Sequence, residues 1–109
     1  MESLSRIEKF LLGHIWYGYA GKIYFSRGSS SAESYLGEMF AEEFTSRDQR
    51  FFMKLAEEFK KAISKLRDNW IIEISGFEAS LTSYGQQLIK ELSKEEYKKI
   101  MEEIKKGNI

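Results

Sequence analysis

Five serines followed three positions later by Glu or Gln stand ahead of helically spaced apolar residues: Ser5/Glu8, Ser30/Glu33, Ser46/Gln49, Ser83/Gln86 and Ser93/Glu96. The spacing lets the serine hydroxyl and the later side chain satisfy two orphan backbone donors reciprocally at a helix start. Each pair precedes apolar residues at three- and four-residue steps, so the sequence predicts five helix starts. Proline, the strongest helix breaker, is absent. The first helix is expected over about 4–19, with Ile7, Leu11, His14, Ile15 and Gly18 on one stripe. The second spans about 32–44, with Tyr35, Met39 and Phe40 facing inward. The third, about 47–67, is the most regular, carrying Phe52, Leu55, Phe59, Ala62, Ile63 and Leu66. The last begins at Tyr84, carries Leu88, Leu92, Ile100, Met101 and Ile104, and is expected to bend or break at Ser93.

Two stretches change period. Lys22 to Ser26 is short, aromatic and β-branched between glycine-containing turns, which predicts a strand. From Trp70 to Thr82, Trp70, Ile72 and Ile74 alternate with polar residues before Gly76, and Phe77, Ala79 and Leu81 alternate after it. A hairpin follows. A Ser75-Gly76 turn would set Glu73 against Glu78, whereas a Gly76-Phe77 turn pairs Glu73 with Ser80 and puts glycine first, as a type II′ turn requires. The second register is expected.

With 109 residues and 12.8 kDa the chain can bury one modest core. At 42% hydrophobic and 31% charged residues it is too apolar for a disordered polyampholyte. The net charge is zero, so bulk charge drives it to no partner. No apolar run is long enough for a transmembrane helix, the N-terminus reads as charged and periodic rather than as a leader, and cytoplasm is the expected compartment. Cysteine is absent, and one histidine makes no zinc site of the usual sort, so neither metal nor cofactor is expected. There is no nucleophile elbow and no His-Glu-x-x-His, and adjacent pairs such as Glu57-Glu58 point about 100° apart on a helix, so an enzyme is not expected. Fifteen Glu against two Asp, with two Asn and three Gln, is a thermophile-like composition that any helix-rich chain also shares.

The resulting order is helix, strand, helix, helix, strand, tight turn, strand, helix. That order resembles the winged-helix domain. The most specific local match is Trp70-Ile71-Ile72-Glu73-Ile74 followed by Leu81-Thr82-Ser83-Tyr84-Gly85 and Leu88-Ile89, which is similar to the wing and the Leu-Thr-x-x-Gly helix start of many bacterial and archaeal regulators. The resemblance implies an α+β winged helix-turn-helix domain over 1–92, with 93–109 as a C-terminal helical extension. It also implies a homodimeric transcriptional regulator that binds double-stranded DNA through helix 46–67. The match departs from the family in three places: the short wing carries Glu73 and Glu78 where a DNA-reaching wing has Arg or Lys, a Ser-rich loop precedes the second helix, and the third helix is long.

If the third helix reads DNA, its outward residues should be basic. At 100° per residue Arg47, Arg50, Lys54, Lys61 and Lys65 fall within about 60° of one another, opposite the apolar set, with Glu58 interrupting. Such a stripe suits phosphate neutralisation and equally suits a solvated helix face. Arg27 and Ser29, in Arg27-Gly28-Ser29-Ser30-Ser31 ahead of a helix start, would clamp a phosphate; a well-capped connector explains them too. The first helix is apolar nearly all round, Trp16 and Tyr19 lying off its stripe, so it is either central or docks a partner. A dimer seam is expected from Trp16 and Tyr19 with Ile100, Met101 and Ile104 of the extension. His14 reads as a core or interface histidine. The competing function is a winged-helix protein-interaction module without nucleic acid, using the aromatic first helix.

Overall fold

The computed structural model describes residues 4–26, 31–44 and 48–108. It is mainly helical, with a small three-stranded antiparallel sheet. Helix α1 (Arg6–Gly13) runs into a wide π-turn (His14–Gly18) and then strand β1 (Lys22–Tyr24). Helices α2 (Ala32–Glu42) and α3 (Gln49–Asp68) precede strands β2 (Ile72–Ser75) and β3 (Glu78–Leu81); α4 (Ser83–Ile89) and α5 (Lys94–Lys105) close the chain. The last helical stretch is thus broken at Ser93, whose hydroxyl accepts from the Glu96 N–H at 3.0 Å.

The capping pattern locates the helices and misplaces three of the caps. At Ser5 the full reciprocal box forms: Ser5 Oγ accepts from the Glu8 N–H at 3.1 Å, and Glu8 Oε1 accepts from the Ser5 N–H at 3.0 Å. Helix α2 is capped by Ser31 rather than Ser30, in a frame that buries Ala32, Leu36 and Phe40. Helix α3 is capped by Asp48, whose carboxylate takes both the Arg50 and Phe51 N–H groups, a stronger charge-assisted cap than a serine offers. Ser46 lies outside the described residues. Helix α4 is capped by Thr82 rather than Ser83: its hydroxyl donates to the Trp70 carbonyl at 2.5 Å and accepts from the Gly85 N–H at 3.0 Å. Gly85 itself must lack a side chain, because a Cβ there would sit 2.2 Å from the Ile71 carbonyl oxygen. The Leu-Thr-x-x-Gly string therefore ties α4 to the start of β2.

The hairpin takes the expected register, Glu73 opposite Ser80 and Ser75 opposite Glu78, with Gly76 at φ +60° in the turn. Strand β1 pairs with the far side of β3, giving the order β1-β3-β2. Two aromatics depart from the expected alternation. Phe77 falls in the turn and is exposed, and Trp70 precedes β2. Trp70 lies in a Schellman ending of α3, with the Ile71 N–H on the Leu66 carbonyl at 2.9 Å and the Trp70 N–H on the Arg67 carbonyl at 3.0 Å.

One core runs through every helix. Phe10, Leu11, Leu12 and Ile15 of the first helix are almost wholly buried, so its all-round apolar character is that of a central helix. Helix α2 approaches α3 so closely at Gly37 that a Cβ there would lie 2.8 Å from the Ala56 carbonyl. Helix α5 lies against α1, burying Tyr97, Ile100 and Ile104 in the same core. This corrects the expected dimer seam: Ile100 and Ile104 already face their own chain and are not available to a second copy, while Met101 is half-buried. Two further contacts fasten α5, Tyr17 Oη donating to the Leu92 carbonyl at 2.8 Å and Arg6 Nη2 to the Asn108 carbonyl at 2.9 Å. Among the described residues no helix is long and apolar enough to cross a membrane.

Candidate nucleic-acid interface

The outward side of α3 carries Arg50, Lys54, Lys61 and Lys65, all exposed. The helix is 20 residues long, so at 1.5 Å per residue these four charges are spread over about 22 Å, a length comparable with two-thirds of a DNA turn. The two halves of the stripe differ. Among the described residues Arg50 and Lys54 have no acidic partner. Lys65 lies 3.8 Å from the buried carboxylate of Glu8, and Lys61 and Lys65 border an open groove of about 330 Å³ with Arg6, Glu8 and Glu58. The C-terminal half of the stripe is thus partly neutralised by the helix start it packs on. Arg47, Arg27 and Ser29 lie outside the described residues.

The opposite flank of α3 differs in kind. Met53 is exposed there, and Phe52, Met53 and Ala56 share a groove with Ser34, Glu38 and Lys60. The hairpin is more acidic still: Glu73 and Ser75 lie on its outer side, and Glu78 is ion-paired to Lys22 at 3.6 Å.

A second constellation sits where α1 widens into its π-turn. His14 is buried, and both ring nitrogens are bonded: Nδ1 to the Tyr97 hydroxyl at 2.6 Å and Nε2 to Glu43 Oε1 at 3.0 Å. The set is satisfied with Tyr97 donating to Nδ1 and Nε2–H donating to the carboxylate, whose other oxygen accepts from Tyr19 Oη at 2.9 Å. Rings of Phe10, Phe40 and Phe44 close around the imidazole. Burial alone would raise the Glu43 carboxyl, but the hydrogen bond from His14 and its electrostatic attraction, with the Tyr19 hydroxyl, outweigh it and hold the group below its usual value. Burial first, then the Glu43 carboxylate, pushes the Tyr19 hydroxyl up to about 12 and raises Tyr97 in the same way. The histidine is therefore a core residue that fastens α5 and the end of α2 to α1. Its partners, Glu43 and Tyr97, lie 29 and 83 residues away, and no local pattern points to them.

Of the residues expected at a dimer seam, Trp16 is exposed and Tyr19 is half-buried and engaged with Glu43. Among the described residues no group of three His, Asp or Glu side chains could hold a metal ion. No family model, no curated protein and no solved structure shows significant similarity to the chain.

Proposed function

We propose that this chain is a winged-helix DNA-binding protein of the transcription-regulator type, reading duplex DNA with the outer face of α3. The observation that carries the reading is the row of exposed Arg50, Lys54, Lys61 and Lys65 on that face. Helix order supports it, as does the strand after the first helix, which joins the hairpin in one sheet behind α3. In this reading the acidic hairpin stays off the phosphates, because Glu73 and Glu78 would be repelled by them. Arg50 and Lys54 carry most of the electrostatic attraction, since among the described residues neither side chain forms an ion pair with a carboxylate. Cytoplasm is the compartment that goes with this reading. A homodimer, which a palindromic site would call for, would have to join through surface residues such as Trp16, and light scattering would then report twice 12.8 kDa.

The test is a salt titration of binding to mixed-sequence duplex DNA. Replacing Arg50, Lys54 and Lys61 with Ala should shallow the dependence of log affinity on log salt by about 2.7, at about 0.9 per lost phosphate contact. Thermal stability should stay within about 0.5 kcal/mol of the parent, as exposed sites usually do. Absence of binding by the parent chain at low salt would overturn the reading. The interaction module would then stand in its place, favoured by the zero net charge and the acidic hairpin.

A further inference from the structure

Helices α2 and α3 close on each other at Gly37. Beside that contact they leave an open groove of about 240 Å³, lined on the α3 side by Phe52, Met53 and Ala56. Glu38 of α2 borders this groove and also a second hollow of about 170 Å³, where Tyr35 and Met39 lie. The sequence explains the alignment. Positions 35, 38, 39 and 42 share one face of α2, and 52, 53, 56 and 60 share one face of α3, at three- and four-residue steps. Met53 is 61% exposed, and Tyr35, Met39, Phe52 and Ala56 are only partly buried against the core. The core uses one side of each and leaves the other in water.

The rim is acidic. Glu38, Glu42 and Glu57 are exposed, and among the described residues none of the three forms an ion pair. Among those residues Lys60 is the one cation lining either hollow. Helix α2 itself holds Glu33, Glu38 and Glu42 with no Lys or Arg, and its C-terminal end adds the negative pole of the helix. Such a rim attracts cations and repels phosphates. The main chain decides the shape of the occupant. Along the groove the amides of both helices are bonded within the helices. An extended segment would find nothing to pair with and would lay its own unpaired amides on an apolar floor. A helix arrives with its main chain already bonded. From Tyr35 to Glu42 the α2 wall runs about 10 Å, two helical turns, which matches anchors at i, i+3 or i+4, and i+7.

We infer that the groove beside the α2–α3 contact docks a basic amphipathic helix of a partner protein. The apolar stripe of that helix covers Phe52, Met53, Ala56 and Met39, the two flexible thioethers adapting to its side chains. Its flanking Lys or Arg residues face Glu38, Glu42 and Glu57. A second copy of this chain is the poorer occupant: two such grooves set face to face about a two-fold axis would bring three carboxylates against three. The inference does not rest on α3 reading DNA, since the groove lies on a different flank of α3 from Arg50, Lys54, Lys61 and Lys65.

The experiment uses the full chain with its methionine methyl groups labelled for NMR. Met39 and Met53 lie in the groove and report on it, while Met101 on α5 is the control. The probe is an acetylated and amidated peptide of about 18 residues, long enough to hold a helix, with Leu at three- and four-residue steps and Lys on the flanks. Its counterpart has Glu for Lys. The Lys peptide should shift the Met39 and Met53 signals saturably and leave Met101 in place, and the Glu peptide should shift none. Glu38→Lys with Glu57→Lys should weaken Lys-peptide binding by about tenfold or more, and Met53→Ser by about tenfold. Glu73→Lys with Glu95→Lys, which changes charge equally on β2 and α5, should leave binding unchanged. All these sites are exposed, so thermal unfolding should stay close to that of the parent. Equal binding of the two peptides, binding of neither, or equal weakening by the β2 and α5 pair would each overturn the inference. So would shifts of Met39 and Met53 on concentrating the chain alone, which would place a second copy in the groove.

Discussion

Two aromatic corners of this molecule have met opposite fates. At the π-turn, His14, Tyr97, Tyr19 and the surrounding phenylalanines are packed together, and both imidazole nitrogens are bonded. At the end of α3, Trp70 stands three-quarters exposed on a left-handed backbone. The first corner joins three helical segments, so its side chains serve the fold. The second is the foot of the hairpin, where β2 is the last strand of the sheet among the described residues. Aromatic content alone therefore says little about where a binding surface lies; what matters is whether the ring's polar and apolar surface is used by the chain itself.

The comparison can be broken from the buried side first. Tyr97→Phe leaves the ring in place and removes the hydroxyl that His14 Nδ1 accepts, so a buried ring nitrogen loses its partner. A loss of about 1–3 kcal/mol is expected in chemical denaturation. A loss under about 0.5 kcal/mol would show that the polar bond adds nothing to the packing of α5.

Alkaline titration sharpens the same corner. Tyr19 is raised from 10.0 to about 12 in the folded chain and Tyr97 is raised as well. A group whose folded value is raised keeps its proton in the native state while the unfolded chain releases it. Its stabilisation is therefore full below pH 10 and is lost as pH climbs toward 12. Stability should fall across that window, and Tyr19→Phe should flatten the fall. Glu43 acts in the other direction: its folded value is lowered, so the stability it contributes is present above the usual carboxylate range and is lost on acidification through that lowered value.

The smallest effect is expected at the exposed corner. Trp70→Gly removes a left-handed tryptophan, worth about 1–2 kcal/mol of strain, and adds glycine's unfolded-state freedom, about 0.5–1 kcal/mol. The net change should lie between nothing and a gain of about 1.5 kcal/mol by thermal unfolding. A clear destabilisation would mean that the exposed ring packs on the hairpin in solution, and the contrast between the two corners would narrow.

Much of the scaffold was legible locally. The hairpin register followed from two facts, that glycine takes a positive φ at no steric penalty and that Glu73 and Glu78 repel when opposed. The helices followed from caps and apolar spacing, though Ser30, Ser46 and Ser83 were each read one or two places from the cap used. In a run of hydroxyl and acidic residues several side chains can cap, and burial of the helix face chooses the frame. Among the site residues, the exposure of Arg50, Lys54, Lys61 and Lys65 was readable from periodicity, but the neutralisation of Lys65 by Glu8 was not, because it joins two helices. Trp70 was misread because alternation cannot see that α3 continues to Asp68 and that its ending takes up the next residues.

By itself the sequence determined what adjacent residues impose on one another: five helix starts, a two-residue turn with one acceptable register, and an apolar strip on the last helix. Spacing of three, four or two residues is a property of the backbone, so it is readable without knowing what lies across from it. The tertiary structure alone decided what that strip touches. Ile100 and Ile104 pack against α1 rather than a second copy, His14 finds Glu43 and Tyr97, and Trp70 is left exposed at the foot of the hairpin. An amphipathic helix must bury its apolar side, but the hydrophobic effect has no direction and does not name the surface that receives it. That choice belongs to the shape of the whole chain.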